Sequence, residues 1–375
     1  MNYTLKNPAY EDKLIKQVVH MDQAVCYCPE FRATKMMHDY PSRKLQMAFS
    51  VNRGDLEADE TIANLLFQSL LSRQGERWQN FGECPEDCTD AMILSREMIL
   101  KKGFGHAIVD EFKARLSENN GHLYSIPEKN MQRFERYIPV SDQSTTYLLI
   151  DDATANFVSE SARNIGEFFD HIGVDFYPEI EATFAGFEYF AYGLVEEGKA
   201  HVEKMLNDLA SKGIDTIVTL TGQAEYLLST YIKKLDIDHE FKIVNILDCT
   251  DHLHVEQPAY LYAGSFYTRY LRMEDDINRL VKNTSEKVIA NCAEFNPLLE
   301  GDKRINKVTI WQKPISAEYC LIGFDQKILD AIVDDCLGSI KQGTQQITVA
   351  FDPYDYQVLS EKLGKNSVVY FADLL

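Results

Sequence analysis

Eight cysteines are the residues of this chain best suited to chemistry, and their spacing decides what that chemistry is. Cys26-x-Cys28 and Cys84-x-x-x-Cys88 form two close pairs. Four thiolates brought together in space hold one iron–sulfur cluster or a zinc ion. Neither spacing is a usual metal motif, so the other reading is leftover thiols on a domain that binds no metal. Cys249, Cys292, Cys320 and Cys336 are singletons and read as small buried residues, Cys336 inside a helical pattern. His252-Leu253-His254, near Cys249 and Asp251, is either a small metal cluster or a solvated polar turn. Asp352 and Asp355 form a carboxylate pair suited to capping the helix after them. Gly103-Phe104-Gly105 lacks the third glycine and the preceding strand of a dinucleotide site. No G-x-S-x-G, P-loop or H-E-x-x-H occurs.

The elements that must position these residues differ along the chain. Residues 1–135 are helix-rich, with apolar positions at helical spacing in Ile62, Leu65, Leu66 and Leu70 and in Met92, Ile93, Met98 and Ile99. A polar stretch at 125–144, with Pro127 and Pro139, reads as a linker. Beyond it strands at 147–151, 217–220 and 241–247 alternate with helices at 158–172, 195–210 and 224–235. The succession returns with strands at 260–263 and 347–351 and helices at 325–340 and 356–363. Strands separated by helices of this length predict a parallel α/β fold. IVTLTGQAEYLLS at 217–229 aligns with TVAFDPYDYQVLS at 348–360, each ending in Leu-Ser. The two regions, 145–255 and 256–375, are therefore expected to be two related α/β halves packed as a pseudo-dimer.

Charge and composition narrow the setting. The 375 residues carry 38 Lys and Arg against 58 Asp and Glu, a net charge of −20. Such a surface excludes general affinity for nucleic acid or an anionic membrane. The first residues are polar, without the apolar core of a signal peptide. No apolar run approaches the roughly 18–20 residues of a spanning helix. Scattered cysteines are not a secreted disulfide framework, so a cytoplasmic setting is expected.

A strand, then Cys-x-x-Cys at a helix start, then a tyrosine is the recurring arrangement of one family that this chain resembles in outline. The chain is similar to the cysteine-rich CCG-type domain of the heterodisulfide reductase B subunit, also found in iron–sulfur subunits of glycolate oxidase and glycerol-3-phosphate dehydrogenase. The ligand positions of that family carry other residues here. Phe184-Ala185-Gly186 stands where Cys-Cys-Gly would be, and Thr221 and Ala224 where Cys-x-x-Cys would be. Asp352-Pro353-Tyr354-Asp355-Tyr356 matches Cys-Pro-x-Cys-Tyr with aspartate for both cysteines. Tyr262–Arg269 resembles the His-Asp-Pro-Cys segment, with Ser265 at the cysteine position and Arg269 as its trailing arginine. Tyr319-Cys320-Leu321 is the best candidate for the second Cys-Cys-Gly. Residues 1–135 resemble the partner C subunit, a helical domain with two ferredoxin-type clusters. Cys28-Pro29 and Cys84-Pro85 echo its Cys-Pro motif ends, and a helix with Arg96 follows the second.

The resemblance implies a helical ferredoxin-like domain at 1–135 followed by two pseudo-symmetric CCG-type halves with degenerate iron–sulfur sites. It implies a scaffold or regulatory subunit of a heterodisulfide-reductase-like sulfur or thiol redox complex, without cofactor, assembled with A-, B- and C-type subunits. A second reading is an electron-transfer protein that retains one N-terminal iron–sulfur cluster on Cys26, Cys28, Cys84 and Cys88. A third is an enzyme using the cleft between the halves for a small molecule. The aromatic run 184–192 either fills the space of a lost cluster or lines an ordinary core or interface.

Overall fold

The computed structural model describes residues 28–73, 88–255, 259–281, 315, 325–341 and 347–375. Its N-terminal part is helical: α1 (Pro29–Thr34), α2 (Pro41–Arg53), α3 (Glu60–Phe67), α4 (Cys88–Lys101) and α5 (Ala107–Glu118). Proline opens α1 and α2, where its missing N–H is no loss. Asp59 caps α3, its carboxylate accepting from Ile62 N at 2.8 Å.

The chain continues through α6 (Glu128–Tyr137), β1 (Thr146–Leu149), α7 (Asp152–Phe157), α8 (Ala162–His171), α9 (Phe187–Ala191) and α10 (Val195–Ser211). Then come β2 (Thr216–Thr219), α11 (Gly222–Tyr226), β3 (Lys242–Asn245), β4 (Ala259–Tyr262) and α12 (Glu274–Leu280). The last elements are α13 (Gln326–Lys341), β5 (Ile347–Ala350), α14 (Pro353–Leu363) and β6 (Val368–Tyr370).

The architecture is α/β, with two three-stranded sheets ordered β1-β2-β3 and β4-β5-β6. Every pairing is parallel, with Thr146 opposite Thr216, Thr216 opposite Lys242, Ala259 opposite Ile347 and Thr348 opposite Val368. β1, β2 and β5 are buried at every residue after the first, as parallel strands covered on both faces must be. Leu148, Ile150, Val218, Leu220 and Ile246 share one hydrophobic cluster with Leu261, Val349 and Phe351, so the two sheets are held by a common core.

Several elements depart from the sequence reading. The stretch expected as a linker at 125–144 carries helix α6, because Pro127 sits at its N-cap and Pro139 falls just after its end. The helix expected at 158–172 is α8, entered through a 3-10 turn at Ser159–Ser161, and α7 before it is an added helix. The helix expected at 224–235 is composite: α11 runs into a π turn at Leu227–Tyr231 and a 3-10 turn at Ile232–Leu235. β6 is an added strand that the sequence reading does not contain.

The described residues fall into two compact units. One is formed from those within Met1–Ala114, Phe187–Lys199 and Lys313–Ser339, the other from those within Arg115–Gly186, Ala200–Gln312 and Ile340–Leu375. Ile62, Leu66, Phe67, Ile93, Phe112 and Phe190 are buried in the first. Both sheets belong to the second. No helix among the described residues is long and apolar enough to cross a membrane.

Candidate functional site

Parallel strands present their carboxyl ends as the place where α/β folds bind ligands. Here those ends carry polar residues that start the next helix or turn. Asp151, after β1, accepts from Thr154 N at 2.8 Å and caps α7. Thr221, after β2, caps α11 through Ala224 N at 3.4 Å. Asn245, at the end of β3, caps the following 3-10 turn in a capping box with Asp248. Asp352, after β5, accepts from Tyr354 N at 2.8 Å and Asp355 N at 3.4 Å and caps α14. Thr221 and Asp352 therefore follow the middle strands of their sheets, each bonded to the N–H three residues on.

These caps are joined sideways. Thr221 Oγ1 donates to Asp151 Oδ2 at 2.7 Å. Asn245 Nδ2 donates to Thr219 Oγ1 at 3.2 Å and to the Thr221 carbonyl at 3.3 Å. Tyr267, arriving from beyond β4, donates its hydroxyl to Asn245 Oδ1 at 3.3 Å. Gly222 leaves room for this turn, since a Cβ there would stand 3.1 Å from Phe266 Cβ. Asp151, Thr221, Asn245, Tyr267, Asp352 and Asp355 are all buried.

Burial governs the protonation of this row. It raises the Asp151 carboxyl above its ordinary range, opposed by the Thr154 and Thr221 hydrogen bonds. The Tyr267 and Tyr370 hydroxyls are pushed well up by burial, with carboxylates adding to it. Glu225, on α11, rises from 4.5 to about 7, first through burial and then through Asp248. Its Oε2 is buried without a hydrogen-bond partner. A carboxyl at that value exchanges a proton near neutrality.

Glu225 sets a pH dependence. Its folded-state pKa lies above the unfolded value, so its contribution to stability is full below about 4.5 and lost as pH rises through about 7. Glu225→Gln removes the charge and is expected to gain about 2 kcal/mol over the parent at pH 8, with no difference near pH 4. Urea unfolding at the two pH values measures this; an equal gain at both would place its origin elsewhere. At the caps, Asp352→Ala should cost about 1 kcal/mol and Asp352→Asn much less, read from the same midpoints.

In the first unit, Cys28 is the one member of the predicted metal set whose side chain is described. Its sulfur caps α1, accepting from Phe31 N at 3.5 Å, and its S–H faces Glu30 Oε2 at 3.1 Å. Burial, then the Glu30 charge, push this thiol well above its usual range. Glu30 also accepts from Leu70 N at 2.7 Å. Lys44, fully buried beside Glu30, has its pKa lowered by burial, and its Nζ has no hydrogen-bond partner. Cys26 and Cys84 lie outside the described residues, as does the side chain of Cys88. Charged residues in this core carry no sequence signal; Cys-Pro-Glu opening a helix is the readable part.

Other predicted residues separate. Cys336 is buried in α13 and Cys249 is half-buried; Cys292 and Cys320 fall outside the described residues. His252 and His254 are exposed, their rings edge-to-face at 4.5 Å, which is the polar-turn reading. Among the described residues no group of three or more His, Cys, Asp or Glu side chains is placed to hold a metal ion. The aromatic run is divided: Phe184 lies in the second unit against His201 at 5.4 Å, while Tyr189 and Tyr192 meet Phe112 at 5.1 Å in the first. Ser265 accepts from the buried Arg269 on the next turn.

At Phe184, Ala185, Thr221, Ala224, Ser265, Asp352 and Asp355, positions that the resemblance assigns to thiolates in the sheet-bearing part, the side chains are phenyl, methyl, hydroxyl and carboxylate groups, which do not fit an iron–sulfur cluster. No protein-family model matches this chain, and neither a curated protein nor a solved structure does.

Proposed function

We propose that this chain is a non-catalytic scaffold or regulatory subunit of a heterodisulfide-reductase-like thiol redox complex, with no cofactor of its own in its sheet-bearing part. One observation carries the reading: Thr221 and Asp352, at matching strand ends, are buried and spent on capping the chain's own helices. A side chain committed to a helix terminus and closed from water is unsuited to substrate chemistry. Thr221 is further knitted into hydrogen bonds that run from Asp151 through Thr221 and Asn245 to Tyr267. The fold's ligand-binding edge thus serves as internal structure, which leaves its outer surface as the part available for function. A cytoplasmic setting and partners of the A, B or C subunit type complete the proposal.

Co-expression with candidate subunits, followed by size-exclusion chromatography and iron and acid-labile sulfide analysis under anaerobic conditions, tests it. The expected result is co-elution with a cluster-bearing or flavin-bearing partner through an interface above about 1,200 Å², and iron only at trace level in the isolated chain. A chain that elutes alone beside every candidate overturns the scaffold reading. About four irons per isolated chain would instead establish an electron carrier.

A further inference from the structure

A cationic cleft in the second unit stands against the charge of the whole molecule. It is about 590 Å³ in volume and is lined by Lys129, Gln132, Arg133, Arg136 and Tyr137 of α6, Glu160, and Arg163 of α8. Four of these seven side chains are cations and one is a carboxylate, in a chain whose net charge is −20. The helical period explains the grouping. Lys129, Gln132, Arg133, Arg136 and Tyr137 recur three and four residues apart, and so fall on one face of α6. Asn130 and Phe134 occupy the buried side. Arg163 is delivered from α8, whose Gly166 lets it approach the end of α6: a Cβ there would collide with the Tyr137 carbonyl.

The cations are only partly neutralised. Arg133 donates to Ser159 Oγ at 3.1 Å and reaches Glu160 at 3.6 Å. Arg163 pairs with Glu167 at 2.7 Å, both well exposed. Lys129 and Arg136 make no ion pair among the described residues. The guanidinium of Arg136 lies 5.3 Å from the centre of the Tyr137 ring. Glu128 and Glu135 share the helix, Glu128 accepting from Gln132 at 2.9 Å. Gathering like charges costs energy that an anion in the cleft would relieve.

We propose that this cleft is a binding site for a small ligand bearing a diphosphate group. Guanidinium forks match phosphate oxygens in pairs, and three arginines serve two adjacent phosphates better than one. Lys129 adds a point charge, and the Tyr137 ring offers a flat wall to the organic part. The volume is that of a site for a nucleotide-sized molecule. This inference rests on residues other than those at the strand ends and stands whether or not the chain is a redox-complex subunit.

Calorimetric titration of the full chain with ADP, pyrophosphate and AMP tests the site, at low and moderate salt. Saturable binding of ADP and pyrophosphate is expected, at least tenfold tighter than AMP and weaker at higher salt. Arg133→Ala/Arg136→Ala should lose at least tenfold in affinity with its circular dichroism spectrum unchanged. Arg53→Ala, an exposed cation of the first unit, should bind as the parent does. Should the double variant not fold, Lys129→Gln replaces it, with a loss of about threefold. No saturable binding, equal binding of AMP, or undiminished binding in the cleft variants would overturn the proposal, including the case in which the face serves an acidic protein segment instead.

Discussion

Arg96→Ala is expected to lower the unfolding free energy by about 4 kcal/mol. The side chain is fully buried in α4. Its Nε donates to the Leu66 carbonyl at 3.0 Å and its Nη2 to Ser69 O at 2.7 Å, while Nη1 donates to Ala191 O. Leu66 belongs to the last turn of α3, Ser69 follows that helix, and Ala191 ends α9. Helix ends leave carbonyls without intrahelical partners, and a cation is favoured there. One guanidinium thus closes two helix termini, and it lies 5.3 Å from the centre of the Phe67 ring. Truncation strands buried acceptors at roughly 1–3 kcal/mol each and opens a cavity as well. Gly193, at φ 74°, brings the chain so close that a Cβ would stand 2.7 Å from Arg96 Cβ, which limits collapse into that cavity. Urea midpoints measure the loss. Arg96→Lys should recover part of it, since one ammonium reaches fewer of the acceptors. A cost under about 1 kcal/mol would mean that water satisfies these carbonyls after all.

Gly166→Ala is expected to cost about 3 kcal/mol, the upper part of the range for overpacking. The added methyl would strike the Tyr137 carbonyl and lie 2.6 Å from its carbonyl carbon, and backbone yields only if α6 or α8 shifts. Gly338→Ala is the contrast. That glycine lies in α13 with nothing within 4 Å of the place its new methyl would take, so the substitution should stabilise by about 0.8 kcal/mol through helix propensity. Thermal or urea unfolding of the pair gives the comparison. If Gly166→Ala were neutral, the approach of α8 to α6 would be looser than a direct backbone contact, and Arg163 would not be held at the cleft.

The alternation of apolar strands with amphipathic helices makes the α/β class readable, and the aspartate pair after β5 makes its cap readable. Asp352 followed by proline is an N-cap signal in itself, and it caps α14. Weaker signals fail for identifiable reasons. Two prolines around 128–137 read as breakers, although they mark a helix from outside when they stand at its limits. β6 is three residues long, too short for a periodic pattern to register. The π turns at Leu227–Tyr231 and Phe266–Tyr270 keep helical spacing locally, so pattern alone does not separate them from α-helix. Of the cysteine set, types and spacing are legible in the sequence; the burial of Cys28 against a carboxylate is not. Glu30, Lys44 and Arg96 are charged, and charge in a sequence reads as surface. The cationic cleft is hidden by summation, because a net charge of −20 says nothing of its distribution.

The parallel sheets also fix an order of events during folding. β2 and β3, like β5 and β6, are joined by shorter connections than those that bring β1 to β2 and β4 to β5. Closing a longer loop loses more chain entropy before any pairing rewards it. The C-terminal two strands of each sheet should therefore associate early, with β1 and β4 docking onto a formed edge. A nascent chain leaving the ribosome has β1 in hand well before its neighbour exists, so that strand must wait unpaired. Its residues Tyr147, Leu148 and Leu149 are buried in the finished fold, so this segment needs shelter during synthesis.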